Sequence, residues 1–228
     1  MSTARTVLVG GGGFCRELIW WAADCVAAQT LAPVGGYLDD AGHVMAPHGY
    51  DVPYLGTLRD YSPRPGDGFV LALGNPGHKR SAFDQLASRG GSFPRFIHPT
   101  ARVAPTASID QGAVLLLMAV AGPESRIGQF VALNGGSGVG HDGSVGEFTT
   151  ISSHVDVTGG ASIGKDVFVG SKALFMPGVK VGDGAKVGAG SIVYRSVPAG
   201  ATVFAAPAKL LKMKAAPVRP SAAAPDHG

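Results

Sequence analysis

The chain has 228 residues and a formal charge of +3, with 35 Gly and 16 Pro but only 15% charged and 7% aromatic residues. The mild positive excess forms no basic cluster of the kind nucleic-acid binders carry, and two cysteines, Cys15 and Cys25, are too few for a disulfide framework. The longest apolar run, Ala113 to Ala121, is about half a membrane span, and Val7-Leu8-Val9 is too short for a secretory signal core. The expectation is a soluble, cytoplasmic protein whose partners are small anionic molecules rather than nucleic acid or membrane.

Residues 1–96 read as a small Rossmann-like α/β domain. Arg5 to Val9 predicts a strand that enters Gly10-Gly11-Gly12-Gly13, and Phe14 to Ala28 predicts a helix with Leu18, Ile19, Trp21, Ala22 and Val26 on its apolar side. Val34 to Leu38 predicts a second strand ending at Asp39-Asp40, and Gly68 to Leu73 a third ending at Gly74-Asn75-Pro76. His78 to Ser88 predicts a second helix and Phe93 to Ile97 a last strand. Alternation of strands and helices implies a parallel sheet.

From Ile97 the pattern changes to a period of six. Steps of six from Ile97 to Val193 give 17 positions without an insertion, 15 of them Ile, Leu or Val. A triangular coil explains this: each corner turns inward on one aliphatic residue, three hexads close one coil, and residues 18 apart stack. Residues 97–198 are therefore expected to form an all-β parallel β-helix of five to six coils, about 27 Å tall at strand spacing. The Gly that often follows the inward residue is expected to supply unusual backbone geometry at the corner. Residues 199–214 are expected to close the prism, with Ala206 to Met213 a short strand or helix, and 215–228, rich in Ala and Pro, to be a disordered tail.

Three strand ends of the first domain carry chemistry. The Gly10–Gly13 turn opens a helix whose backbone N–H groups suit a phosphate, Asp39 and Asp40 stand where a carboxylate meets a ribose, and Gly74-Asn75 end the third strand on the same edge. Together they predict a nucleotide-sugar site, although turn chemistry alone would also explain the glycines and aspartates. In the prism, His141-Asp142 follows Val139-Gly140 just beyond a corner. An outward imidazole beside a carboxylate suits a general base; a solvated surface His is the plainer alternative. His98 and His154 lack that setting, though Asp156 is near His154. Gly159, 18 residues after His141, leaves room for a thin ligand and offers an N–H to a developing oxyanion.

The stretches VLVGGGGFCREL, GGYLDD, LALGNPGHKR, FIHPTARV and LNGGSGVGHDGSVGEF, followed by SIGKDVFVGSKALFMPGVKVGDGAKVGAGSIV and AAPAKLLK, resemble the bacterial sugar O- and N-acetyltransferases of the sialic-acid and bacillosamine type, within the hexapeptide-repeat acyltransferases. The resemblance spans roughly residues 5–212. It implies a left-handed β-helix, a homotrimer, and acetyl-CoA as co-substrate in the cleft between adjacent prisms, with no metal. It implies His141 as general base, Asp142 as its orienting carboxylate, Asn134 as a further catalytic residue and Gly159 as the N–H donor to the thioester oxygen. It implies a pantetheine path along Thr150, Gly159, Ser171, Pro177 and Ala189, and a nucleotide-linked sugar held by Gly10, Gly13, Phe14, Asp39, Asp40, Gly74 and Asn75. Lys209, with Lys212, is a candidate for the CoA phosphates. Some members acting on 4-amino sugars have His where Phe14 stands. The leading expectation is N-acetylation of a nucleotide-linked amino sugar. The others are O-acetylation of a sialic-acid-type sugar, a γ-type carbonic anhydrase needing three His zinc ligands, a dehydrogenase using the glycine turn, and a non-catalytic scaffold.

Overall fold

The computed structural model describes residues 4–206; Lys209, Lys212, most of the expected closing segment and the tail from 215 lie outside the described residues. The first unit is a three-stranded parallel sheet. β1 (Arg5–Val9) lies centrally, with β2 (Val34–Leu38) on one side and β3 (Asp67–Leu71) on the other. Period-two alternation sorts its side chains. Leu8 and Val70 pack against α1 (Gly13–Ala27), while Val7, Val9, Phe69 and Leu71 pack with α2 (Pro76–Ala87) on the opposite face. The buried stripe of α1 is Cys15, Leu18, Ala22 and Cys25, so both cysteines are core residues; Ile19, Trp21 and Val26, expected in the stripe, are only partly buried.

The remainder is a parallel β-helix. Eighteen two-residue strands, from Phe96–Ile97 to Thr202–Val203, stack into sheets of seven, six and five strands, which is six coils. The stacked pairs are 18 residues apart, as in Leu133 with Leu115 and Ile151, until the last, where Val187 pairs with Val203 after a step of 16. The prism thus runs past residue 198. Its axis is filled by the inward residues, among them Leu115, Ile127, Val139, Val157, Phe175 and Val187. Val103, in the first coil, is 38% exposed because no coil lies beneath it. Phe96–Ile97, expected as the last strand of the N-terminal sheet, instead pairs with Val114–Leu115 and founds the prism's seven-stranded sheet.

The role expected for the corner glycines is corrected. Gly128, Gly140, Gly146 and Gly170 do not have positive φ. They are glycines because a Cβ there would strike the backbone of the next coil; at Gly140 it would lie 2.9 Å from the nitrogen of Gly159. The left-handed position comes two residues later, the third after the inward residue, and eight of its occupants in the prism carry side chains: Met118, Glu124, Phe130, Asp142, Phe148, His154, Asp166 and Lys172.

That position also docks the two units. Phe130 and Phe148, one coil apart, stack at 4.9 Å, and Phe83 of α2 packs on both. Arg80 lies over the Phe148 ring at 4.1 Å and pairs with Asp166 at 2.8 Å and Glu147 at 3.4 Å. Beside it Lys79 is 1% exposed, its Nζ donating to the carbonyls of Phe130 (2.8 Å) and Thr149 (3.0 Å). Burial lowers the Lys79 pKa to about 7, partly opposed by Asp166. The folded protein therefore binds fewer protons here than the unfolded chain between about pH 7 and the ordinary lysine value. Stability from this group should rise as pH climbs through that window, by about 2 kcal/mol between pH 7 and pH 9. Urea unfolding at the two pH values checks this, and Lys79→Met should lose most of the rise. Among the described residues no helix is long and apolar enough to cross a membrane.

Candidate active site

His141 and Asp142 stand at the corner between the six- and five-stranded sheets, after Gly138–Val139 and before Ser144–Val145. Asp142 takes the left-handed conformation, φ 57, which Asp tolerates better than most residues, and its N–H donates to the Pro123 carbonyl at 3.0 Å. This turns its carboxylate back onto the preceding ring: Asp142 Oδ2 lies 2.8 Å from His141 Nδ1. A carboxylate only accepts, so this bond puts the imidazole proton on Nδ1 and leaves the Nε2 lone pair free. Both side chains are about two-thirds exposed.

One coil on, Gly159 lies against that ring. A Cβ on Gly159 would collide with His141 Nε2, whereas one on the adjacent Gly160 would make only an ordinary contact, 3.9 Å from the nitrogen of Gly178. Gly160 N–H donates to the His141 carbonyl at 2.8 Å, but among the described residues no backbone carbonyl accepts from the Gly159 N–H. His141, Gly159 and Pro177 are 18 apart and share this corner. The site thus holds an oriented, largely exposed imidazole with a free nitrogen beside a backbone N–H that no carbonyl takes, groups of the kind a base and an oxyanion donor require.

The other residues expected in the site lie elsewhere on the prism. Asn134, Ser171 and Ala189 run along the other long edge of the six-stranded sheet, one face away from His141. Asn134 Oδ1 is buried without a partner. Thr150 is on neither edge. It sits on the outer face of the seven-stranded sheet between Ala132 and Phe168, 3% exposed beneath the N-terminal unit, and its hydroxyl is also unpartnered. His98 is a structural clasp, contacting Asp24 at 3.0 Å and Thr100 at 2.8 Å. His154 rises over Gly136 on the other corner, and no hydrogen bond joins it to Asp156.

At the carboxyl edge of the N-terminal sheet, turn chemistry and site geometry coexist. Gly10 has φ +98 and donates to the Leu38 carbonyl at 2.8 Å, and a Cβ on it would meet Leu73 at 2.6 Å. Asp39 binds the N–H groups of Gly11 (2.7 Å) and Ala41 (2.8 Å), while Asp40 accepts from the Leu58 N–H at 2.8 Å. Asn75 caps α2 by accepting from His78 N–H at 3.1 Å. Gly13 opens α1, which has neither a side-chain cap nor an acidic residue in its first turn, and Phe14 is half-buried in the α1 cluster. Gly10, Asp39, Asp40, Leu73 and His78 line a cleft of about 400 Å³. Gly74 has open space around it at the end of the same strand. Lys79 and Arg80 escaped sequence reading, because a basic pair on a predicted helix reads as a solvated face; the signal was their spacing of four and three residues from Phe83, which puts all three on one face of α2.

The family described as hexapeptide repeat of succinyl-transferase matches residues 160–195. Among solved structures, the acetyltransferase domain of PglB from Neisseria gonorrhoeae in complex with acetyl coenzyme A is 30% identical, with 92% of this chain and 100% of that chain covered and a TM-score of 0.79. PerB from Caulobacter crescentus, in complex with CoA and GDP-perosamine, is 26% identical over 92% of this chain and 99% of that chain, with a TM-score of 0.78. WeeI from Acinetobacter baumannii, 20% identical over 92% of this chain and 100% of that chain with a TM-score of 0.69, shares the fold.

Proposed function

We propose that this chain, which belongs to the hexapeptide-repeat sugar acetyltransferases, transfers the acetyl group of acetyl-CoA to an amino group of a nucleotide-linked sugar. The observation that carries the reading is the His141–Asp142 pair held against Gly159. The acceptor nitrogen attacks the thioester carbonyl while His141 Nε2 takes its proton, and Asp142 stabilises the imidazolium through Nδ1–H. The C–N bond forms and the carbonyl oxygen takes negative charge, which the Gly159 N–H stabilises. Collapse breaks the C–S bond, and the imidazolium returns the proton to the departing sulfur.

The acetyl-CoA and GDP-perosamine bound by the two similar proteins support this donor and this class of acceptor. The order β2-β1-β3, with a helix on each face, supports reading the N-terminal unit as a reduced Rossmann-like domain. Its crevice opens between the loops after β1 and β3, where Gly10–Gly13 and Gly74-Asn75 lie, so the nucleotide belongs there beside Asp39 and Asp40. The outer face of the six-stranded sheet carries Val120, Leu174 and Ile192 beside Arg102, Gly138 and Asp156, with Val120 43% and Ile192 52% exposed. Three left-handed prisms packed on such faces would bring the His141–Gly159–Pro177 edge of one copy to the Asn134–Ser171–Ala189 edge of the next, with pantetheine between them. Thr150, expected on the pantetheine path, is buried beneath the N-terminal unit on neither edge and does not line it; Lys209, outside the described residues, stays a candidate for the CoA phosphates.

The test is release of CoA thiol from acetyl-CoA with GDP-perosamine or a UDP-4-amino sugar as acceptor. Thiol release that depends on the amino sugar, with the acetyl group recovered on nitrogen, is expected. Release only with a free sialic acid would overturn the reading in favour of O-acetylation.

A further inference from the structure

The first coil of the prism, Phe96–Ile97, Arg102–Val103 and Ser108–Ile109, has no coil beneath it among the described residues. Its inward residues Ile97, Val103 and Ile109 open on a concavity of about 860 Å³, which Ala101 and Ala107 also line and which Thr30 of the N-terminal unit walls on one side. A solenoid end that meets water carries a polar cap, because an uncovered axis is apolar surface. Here Val103 is 38% exposed and Ile109 half-buried, whereas Ile127 and Val145, stacked above Ile109, are buried. We propose that this end is covered by the same end of a second copy of the chain, the two prisms meeting base to base about a two-fold axis that passes through Val103 and the opposite corner, where Arg95 and Asp110 stand.

The free strand edge singles out the middle of this end. In a parallel ladder each strand turns backbone groups to both neighbours, so the first coil turns half of its own to nothing. Two of its three strands are blunted by side chains. Cys25 Sγ donates to the Ile97 carbonyl at 3.7 Å, and the Arg95 guanidinium donates to the Ile109 carbonyl at 3.2 Å. At the corner that follows Ile97, His98 Nδ1 accepts from the Thr100 N–H at 3.2 Å. The Arg102–Val103 strand has no such cap among the described residues, and both of its side chains are exposed. A bare edge flanked by blunted ones admits a partner at one place and in one direction.

Charge and symmetry commit that partner to a second copy. A two-fold axis through Val103 sets the bare strand antiparallel to its own copy and exchanges the other two sides of the triangle, so Ile97 meets Ile109 of the second copy and the reverse. At the far corner the same axis brings Arg95 of each copy to Asp110 of the other. Both residues are exposed, and neither has an oppositely charged group within 4.0 Å among the described residues. The contact with the Ile109 carbonyl already holds Arg95 at that corner. An axis through the six-stranded sheet also meets the three-fold axis of a trimer packed on that sheet. Where the trimer proposed above forms, three such contacts are made together and two trimers close as a hexamer with no open base.

The experiment is sedimentation velocity of the full chain and its variants, which reads the contact as a doubling of mass. The parent should have twice the mass of Val103→Asp. That is six copies against three where the trimer forms and two against one where it does not, so the trimer and this contact fail distinguishably. Arg95→Asp and Asp110→Arg should each raise the dissociation constant of the two halves about tenfold at low salt, and the two changes together should restore it. A second charge change would not rescue a variant that had merely lost its fold. A parent with the mass of Val103→Asp overturns the proposal, as does a double variant no better than the single ones. So does a chain ending at Ala206 that loses the doubling, because residues 207–228 rather than the prism base would then join the copies.

Discussion

Replacement of His141 by Ala is expected to lower kcat by about 10²–10⁴-fold, the range a positioned general base contributes, with KM for both substrates little changed. An amine on a sugar is largely protonated near neutral pH, and an ammonium nitrogen has no lone pair with which to attack a thioester. A group must take the proton before or during attack, and His141 Nε2 is the nitrogen left free when Asp142 holds Nδ1. Asp142→Asn should cost less, since the amide can still accept from Nδ1–H but no longer opposes the imidazolium charge. Both variants should unfold at the parent temperature, because both side chains are about two-thirds exposed and neither enters the prism axis. Steady-state thiol release with saturating acceptor checks the prediction. A His141→Ala protein with parental kcat would make His141 an ordinary surface residue and leave the proposed mechanism without a base.

Gly159→Ala should lower kcat by about 10²-fold while leaving the fold intact, and the neighbouring Gly160→Ala should do the reverse. Gly159 lies outside the left-handed region, so its backbone accepts a side chain. The new methyl group would meet the imidazole at Nε2, and the ring must swing away from its catalytic direction. Displacements of about an ångström at a reacting centre carry losses of this order. Gly160 has φ +68 and room around its Cβ, the nearest atom being 3.9 Å away. Alanine there costs about 1–2 kcal/mol of backbone strain, read as a lower melting temperature, and leaves His141 where it is. The paired measurement of kcat and melting temperature separates the two glycines; equal behaviour would remove the argument from the Gly159 contact.

The prism was legible because its core is one-dimensional: an inward aliphatic every sixth residue sets the register, and that register alone stacks Gly159 on His141; Pro177, in the same column, came only from the resemblance. The reason for its glycines was not legible. A glycine needed for positive φ and one needed for close approach of the next coil look alike in sequence, and only stacking distinguishes Gly140 from Gly160. Phe96–Ile97 has the composition of a strand in either unit, so its partner could not be read. The step of 16 at the last coil is hidden because residues 194–200 still keep small residues and Gly in a hexad-like rhythm. The site was legible where chemistry sits in neighbouring residues, as in His141-Asp142 and Asp39-Asp40. It was not where it depends on distance along the chain, as with the carbonyls of Phe130 and Thr149 that hold Lys79, 51 and 70 residues away. The burial of Thr150 follows from the same docking.

That docking divides the molecule kinetically. A bare solenoid has mostly short-range contacts, each coil supported by the ones before and after it, and melts by fraying from its ends. Here α1 lies across Phe96, Val114 and Ala132, and α2 reaches Phe130, Phe148 and Asp166, bridging chain separations of up to 86 residues. The first four coils are thereby tied into one cooperative block with the N-terminal sheet. The coils from Val179 to Val203 have no such tie and should exchange their amide hydrogens first. The proposed base His141 sits inside the tied block, whereas the late coils, on which the CoA end of the cleft is expected, belong to the part free to breathe.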